Sequence, residues 1–162
     1  MKILYLHGLD GRLNDEKHQI LVNYGKPFAP TIDYRKDKNS IVRLVEEFKN
    51  KDIDVIIGSS MGGFAGYHIA EALQKPALLF NPALAQRSVP QEIPEYNNLQ
   101  QNFKRIVLGA QDQVVDPSGT FRFLTDTLAT PINYAIHFRQ DLAHRIPVSI
   151  FEEEVKRFFK QL

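Results

Sequence analysis

The fold class this chain predicts is α/β with a mostly parallel sheet, and three observations predict it. Short apolar runs end in glycine, asparagine or proline. Stretches with apolar residues at helical spacing separate those runs. The two patterns alternate along the chain. Such alternation lays strands side by side in parallel, with the connecting helices over both faces. With 162 residues and no internal repeat, low-complexity tract or linker, one domain over 1–162 is expected.

The first run, Lys2 to His7 bounded by Gly8, suits a buried parallel strand. Asn14 before Asp15 and Glu16 starts a helix that Gly25 stops. Residues 27–34 contain two prolines, so a strand here belongs at an edge. Asn39 or Ser40 caps a helix carrying Ile41, Leu44, Val45 and Phe48 on one face. A third strand covers 53–59, followed by a helix ending near Gln74 and Pro76. Residues 77–80 form the next strand, stopped by Asn81 and Pro82. The stretch 83–104 lacks periodicity, and long loops in compact domains are often functional.

Arg105 to Leu108, before Gly109, reads as a fifth strand. Asp116 and Pro117 open a helix expected to face inward through Phe121, Leu124 and Leu128. In 132–138, Ile132, Tyr134, Ile136 and Phe138 alternate with Asn133, Ala135 and His137, as in a half-buried strand. A last helix carries Ile150, Phe151, Val155, Phe158, Phe159 and Leu162, with Ser149 and Glu152 spaced as a capping box.

Composition excludes several classes. The chain is 43% hydrophobic and 24% charged with a net charge of +1, and its charges are interspersed. Neither nucleic acid nor an anionic membrane is an expected partner. Without cysteine there is no disulfide, thiolate metal site or cysteine nucleophile. No stretch reaches the roughly 20 apolar residues that span a bilayer, and the N-terminal run is too short for a signal peptide. A cytoplasmic location is the expectation.

Chemistry concentrates where strands end. Gly58, Ser59, Ser60, Met61 and Gly62 form G-x-S-x-G between a strand and a helix, the nucleophile elbow that exposes a serine hydroxyl above a sheet. Gly58 and Gly62 leave room where the strand and helix crowd together, and Ser60 is expected at positive φ. Ser59 ends the strand.

In parallel sheets, ligands bind beyond the carboxyl ends of the strands. His7-Gly8-Leu9 follows the first strand, Ser60 the third, Asp112 and Asp116 the fifth, and His144 the sixth. A serine hydroxyl needs a base to take its proton. Of five histidines, His18 sits beside Lys17 on a helix, His68 lies about 12 Å along the elbow helix, and His137 is within a strand. His7 is near the same edge, and His144 sits in a loop free to turn toward the elbow.

The base needs an acid to fix its tautomer. Asp112 fits, just past Gly109. Asp116 is second, because its place before Pro117 is also explained by N-capping. An oxyanion needs N–H donors. Met61 at the start of the elbow helix and Leu9 after Gly8 are the candidates.

The order His7-Gly8, then Gly58 to Gly62, then Gly109 to Asp112, then His144 resembles the α/β-hydrolase family over nearly the whole chain. The length, the His7 to Gly11 opening and the final Ala143-His144-Arg145 look most like the small YqiA-type esterases (UPF0227). That resemblance implies a three-layer α/β/α hydrolase fold, trimmed and without a cap domain, with a six-stranded sheet in the order 2-1-3-4-5-6. It also implies esterase or thioesterase activity on a small acyl ester or thioester, with no metal or organic cofactor. The catalytic set would be Ser60, His144 and Asp112, with the N–H groups of Leu9 and Met61 as oxyanion donors. The chain departs from the pattern in lacking glycines beside His144.

Two other functions are weighed against this. A non-catalytic hydrolase-like binding domain would be signalled by a lost triad position, and none is lost. A nucleotide-binding protein would use the Gly-rich turn as a phosphate cradle, but residues 58–66 match neither G-x-G-x-x-G nor G-x-x-x-x-G-K-[ST]. Met61, Leu84, Ile93 and Tyr96 are the candidate pocket-lining residues.

Overall fold

The computed structural model describes residues 1–96, 102–127 and 133–162. Its elements follow the chain as β1 (Lys2–Leu6), α1 (Asp15–Val22), β2 (Lys26–Phe28), α2 (Ser40–Phe48), β3 (Val55–Ser59), α3 (Met61–Leu73) and β4 (Ala77–Phe80). After these come β5 (Lys104–Gly109), α4 (Pro117–Thr127), β6 (Tyr134–Arg139) and α5 (Val148–Phe159). The six strands form one sheet in the order β2-β1-β3-β4-β5-β6, and all five pairings are parallel. Among the described residues, no cap domain follows β4. Among the described residues, no helix is long and apolar enough to cross a membrane.

The continuous apolar runs arise because both faces of the sheet are covered. Successive side chains point to opposite faces. Leu4, Leu6, Ile56, Leu79, Ile106 and Leu108 pack on one side with Ile41 and Leu44 of α2, Phe64 of α3 and Leu124 of α4. Ile3, Tyr5, Val55, Ile57, Leu78 and Val107 pack on the other with Ile20 and Leu21 of α1 and Phe151, Val155 and Phe158 of α5. Each fully buried aliphatic or Phe side chain contributes about 1.5–3 kcal/mol, so the central strands anchor what projects from their ends.

Local signals explain most of the boundaries. The Asn14 side chain accepts the Lys17 N–H at 3.0 Å and starts α1. The two-proline stretch forms only the short edge strand β2. Asn39 is the N-cap residue of α2, though its side chain makes no capping bond. Gln74 ends α3 in a left-handed conformation (φ 55°).

Four expectations fail. The Ser149–Glu152 capping box does not form, because α5 begins at Val148 directly after Pro147 and Ser149 already lies within the helix. Phe121 is exposed rather than inward-facing, and α5 ends at Phe159, so Leu162 lies beyond the helix and is exposed. In α4 Leu124 faces inward as expected, and Thr120 takes the inward place expected of Phe121. The alternation in β6 also breaks down, with Phe138 exposed and Arg139 buried. β6 is an edge strand whose far end is organised by charge. Glu154 of α5 accepts from Arg105 at 2.8 Å, Arg139 at 2.9 Å and His137 at 2.7 Å. Burial raises the Glu154 carboxyl pKa, but the two guanidinium groups outweigh it and hold the group below its ordinary value. Leu128 and Ile132 lie outside the described residues.

Candidate active site

The elbow is built by close approach. A Cβ on Gly58 would sit 2.2 Å from the Gly62 carbonyl oxygen, and one on Gly62 would sit 2.1 Å from that of Leu6. Only glycine lets α3 start this close to β1 and β3. Ser60, between them, adopts φ 54° and ψ −118°, a conformation costing on the order of 1–3 kcal/mol.

Three backbone bonds hold that strain. The Ser60 N–H donates to the Phe80 carbonyl at 2.9 Å. The Ser60 carbonyl accepts from Phe64 N–H at 3.0 Å and Ala83 N–H at 3.2 Å. The serine is therefore tied to the end of β4 and to α3. Met61 is the first residue of α3, so its N–H has no acceptor within the helix and lies at the positive end of the dipole.

The loop after β1 lies against this turn. A Cβ on Gly8 would be 3.4 Å from Ser60 Cβ and 3.9 Å from Ser60 Oγ. His7, which is buried, sets the loop's conformation. Ile32 N–H donates to its Nε2 at 3.0 Å, so Nε2 carries no proton. The proton is therefore on Nδ1, which donates to the Gly8 carbonyl at 2.7 Å. Gly11 N–H donates to the same carbonyl at 3.0 Å. In a trans peptide the C=O and the following N–H point to opposite sides. Fixing the Gly8 carbonyl thus fixes the Leu9 N–H in the reverse direction.

The loops after β5 and β6 meet at Asp112 and His144. His144 Nδ1 lies 2.9 Å from Asp112 Oδ2 and 3.1 Å from Oδ1. The Asp112 side chain is fully buried while that of His144 is 26% exposed, so only the imidazole reaches the cleft. Asp112 Oδ1 also accepts from Val114 N–H at 2.8 Å and Val115 N–H at 2.9 Å, which fix the carboxyl group in place. Asp116 is exposed and accepts from Ser118 N–H and Gly119 N–H at 3.0 Å, capping α4. Of the two aspartates, the structure brings Asp112 to the histidine.

Ser60, His144, Leu9 and Met61 line one cleft of about 890 Å³ at the carboxyl edge of the sheet. Of the expected pocket residues only Met61 lines it. Leu84 is buried in the core and Ile93 is exposed. Tyr96 Oη instead lies 2.9 Å from His68 Nδ1. The irregular segment after β4 supplies Ala83, Gln86, Arg87 and Ser88.

His68 is buried outside this cleft. Desolvation, helped by the charge of Arg87, pushes its pKa down to about 4. His137 is paired with Glu154. Among the described residues, no group of three His, Asp or Glu side chains is arranged to hold a metal ion.

Two residues here give little signal in the sequence. One is His7, whose ring holds the Gly8 carbonyl. The other is Asn81, at φ 41° and buried, whose Nδ2 donates to the Ala143 carbonyl at 2.9 Å and whose Oδ1 accepts from Gly109 N–H at 2.7 Å. An asparagine before proline reads simply as the end of a strand.

Comparison with known proteins agrees with this architecture. Residues 2–106 match the uncharacterised protein family UPF0227. No curated protein matches the sequence. Among solved structures, a protein of the alpha/beta hydrolase superfamily from Xanthomonas campestris aligns with TM-score 0.73 at 13% identity, covering 99% of each chain. A Paleococcus ferrophilus monoacylglycerol lipase aligns at 0.70 and 12% identity, covering 98% of this chain and 93% of its own. A Bacillus cereus carboxylesterase aligns at 0.67 and 17% identity, covering 99% and 88%. At such identities the likeness shows the fold. From the matched residues and this architecture, the chain is a member of the UPF0227 family with an α/β-hydrolase fold.

Proposed function

We propose that this protein is a serine esterase or thioesterase that cleaves a small acyl ester or thioester through an acyl-enzyme on Ser60. One observation carries the reading. The strained Ser60 opens into the same cleft as His144, whose Nδ1 is bonded to the buried Asp112.

Ser60 Oγ attacks the acyl carbon while His144 Nε2 takes its proton, leaving Nδ1–H on Asp112. The negative charge of the tetrahedral intermediate falls on the former carbonyl oxygen. The N–H groups of Leu9 and Met61 donate to it, the first aimed by His7 and the second aided by the helix dipole. Collapse expels the alcohol or thiol, which receives the proton from His144. Water then attacks the acyl-enzyme, giving its proton to His144, and the acid leaves as Ser60 regains its hydrogen.

The test is hydrolysis of a panel of acyl esters of increasing chain length, with a thioester series alongside. Wild type is expected to turn over at least one series with a burst of leaving group. Ser60→Ala and His144→Ala should each lose about 10³-fold or more. Equal turnover by wild type and Ser60→Ala would refute the assignment.

A further inference from the structure

We infer that the substrate of this cleft carries an anionic oxygen group, a carboxylate or a phosphate, near its scissile bond, and that Arg12, Lys17, Arg87 and Arg145 receive it. This rests on the reading of Ser60 as the acylated residue and adds to it the charge of the substrate.

The four cations reach the cleft from three separate segments. Arg12 and Lys17 follow β1, Arg87 follows β4, and Arg145 follows β6 beside His144. Among the described residues none of the four forms a salt bridge, Lys17 feeling only the more distant charge of Glu16, although Arg35, Arg43, Lys51, Lys104, Arg105 and Arg139 each form one. Among the described residues the one carboxylate lining the cleft, Asp10, is already engaged by Arg35 through bonds of 2.7–3.1 Å. With a net charge of only +1 on the whole chain, this excess of positive charge is local. The adjoining cavity of about 640 Å³ differs, being lined by Arg122 together with Asp116 and Asp126.

Two of the cations are held without being neutralised. Lys17 Nζ lies 5.4 Å from the centroid of the Phe151 ring, and the Arg87 guanidinium lies 4.1 Å from that of Phe64. Desolvation pulls both groups below their ordinary pKa, Lys17 being half-buried and Arg87 lying against the Phe64 ring. Like charges gathered around one cleft repel, and an anion between them relieves that repulsion. Guanidinium groups match carboxylate and phosphate oxygens in pairs. The cleft's volume is that of a small-molecule site.

Matched fluorophosphonates with tails ending in a methyl ester, a carboxylate or a phosphate monoester test this through the rate of Ser60 labelling. At about 20 mM salt, one or both charged tails should label at least about 10-fold faster than the methyl ester, with the advantage shrinking several-fold at about 300 mM. The faster charged tail identifies which anion the site takes. Arg12→Gln/Arg145→Gln and Lys17→Gln/Arg87→Gln, each doubly substituted, should lower the charged-to-neutral ratio about fivefold or more. Arg12, Arg87 and Arg145 are exposed, so these variants should fold.

Equal rates for all three tails, or an unchanged ratio in both double variants, would overturn the charge assignment while leaving Ser60 in place. If folded protein is labelled at Ser60 by no tail, the Ser60 reading fails, and this inference fails with it.

Discussion

Asn81 and Ala143 stand sixty-two residues apart, and the Asn81 side chain joins them by donating to the Ala143 carbonyl at 2.9 Å. The other end of the same amide accepts from Gly109 N–H. The ends of β4 and β5 and the loop bearing His144 are thereby locked together. Gln111 N–H adds a bond to the Leu142 carbonyl at 3.0 Å. His144 is thus held at its backbone as well as through Asp112.

Asn81→Leu should therefore act on turnover as well as on stability. The buried Gly109 N–H would lose its partner, costing about 1–3 kcal/mol, and the Ala143 carbonyl would lose its tie to β4. A leucine would also strain the left-handed backbone at φ 41°. Ester hydrolysis should lose roughly 10–100-fold in kcat with KM little changed, because small displacements of a base are costly. Steady-state kinetics together with urea unfolding check both effects. An unchanged kcat in folded protein would remove Asn81 from the positioning of His144.

Asp112 and Asp116 separate cleanly. Asp112→Asn keeps acceptors for Val114 and Val115 but presents the wrong partner to His144 Nδ1, and kcat should fall about 10⁴-fold. Asp116→Asn retains a competent cap on α4 and should change activity less than about threefold. Side-by-side kinetics decide, and the reverse order would reassign the acid.

The elbow glycines predict a graded series. Gly62→Ala and Gly58→Ala drive a Cβ into backbone at 2.1 and 2.2 Å, where nothing can yield cheaply. Each should cost more than about 3 kcal/mol in denaturant unfolding or abolish folding. Gly8→Ala meets its nearest atoms at 3.4 Å, so it should fold with stability changed by less than about 1 kcal/mol. Comparable losses at all three positions would contradict the packing.

Stability should fall in acid through His68. Its native pKa is pushed down to about 4, below the ordinary value of 6.5. Above pH 6.5 both folded and unfolded chains carry it neutral, and it contributes no pH dependence. Between pH 6.5 and 4 the unfolded chain takes up a proton that the native state refuses, so stability drops, by roughly 3 kcal/mol in full. Urea unfolding of wild type and His68→Leu at pH 7.5 and 4.5 checks this. The variant should lose distinctly less stability than wild type across the interval.

Much of this architecture was legible because it obeys local rules. The apolar runs became central strands, Asn14 and Asp116 became caps, and small residues around Ser60 marked a forced close approach. Asp112 and His144 could be picked by their places after strands, since a parallel sheet brings those places to one edge. What local rules cannot carry is long-range polar pairing. Nothing near Asn81 indicates its partner at Ala143, and nothing near His7 indicates Ile32. The exposure of Phe121 and Phe138 depends on β6 being an edge strand, a property of the whole sheet. The four cations of the cleft come from three separate segments, Lys17 from α1 and the others from loops, and become a group only in space.

The central claim is that Ser60 is the nucleophile of this cleft. The most direct measurement is mass spectrometry of the protein after reaction with a fluorophosphonate, followed by peptide mapping. The account predicts a single adduct on Ser60, absent in Ser60→Ala and strongly slowed in His144→Ala, with none on Ser59. An unlabelled wild type, or an adduct that persists in Ser60→Ala, would contradict it.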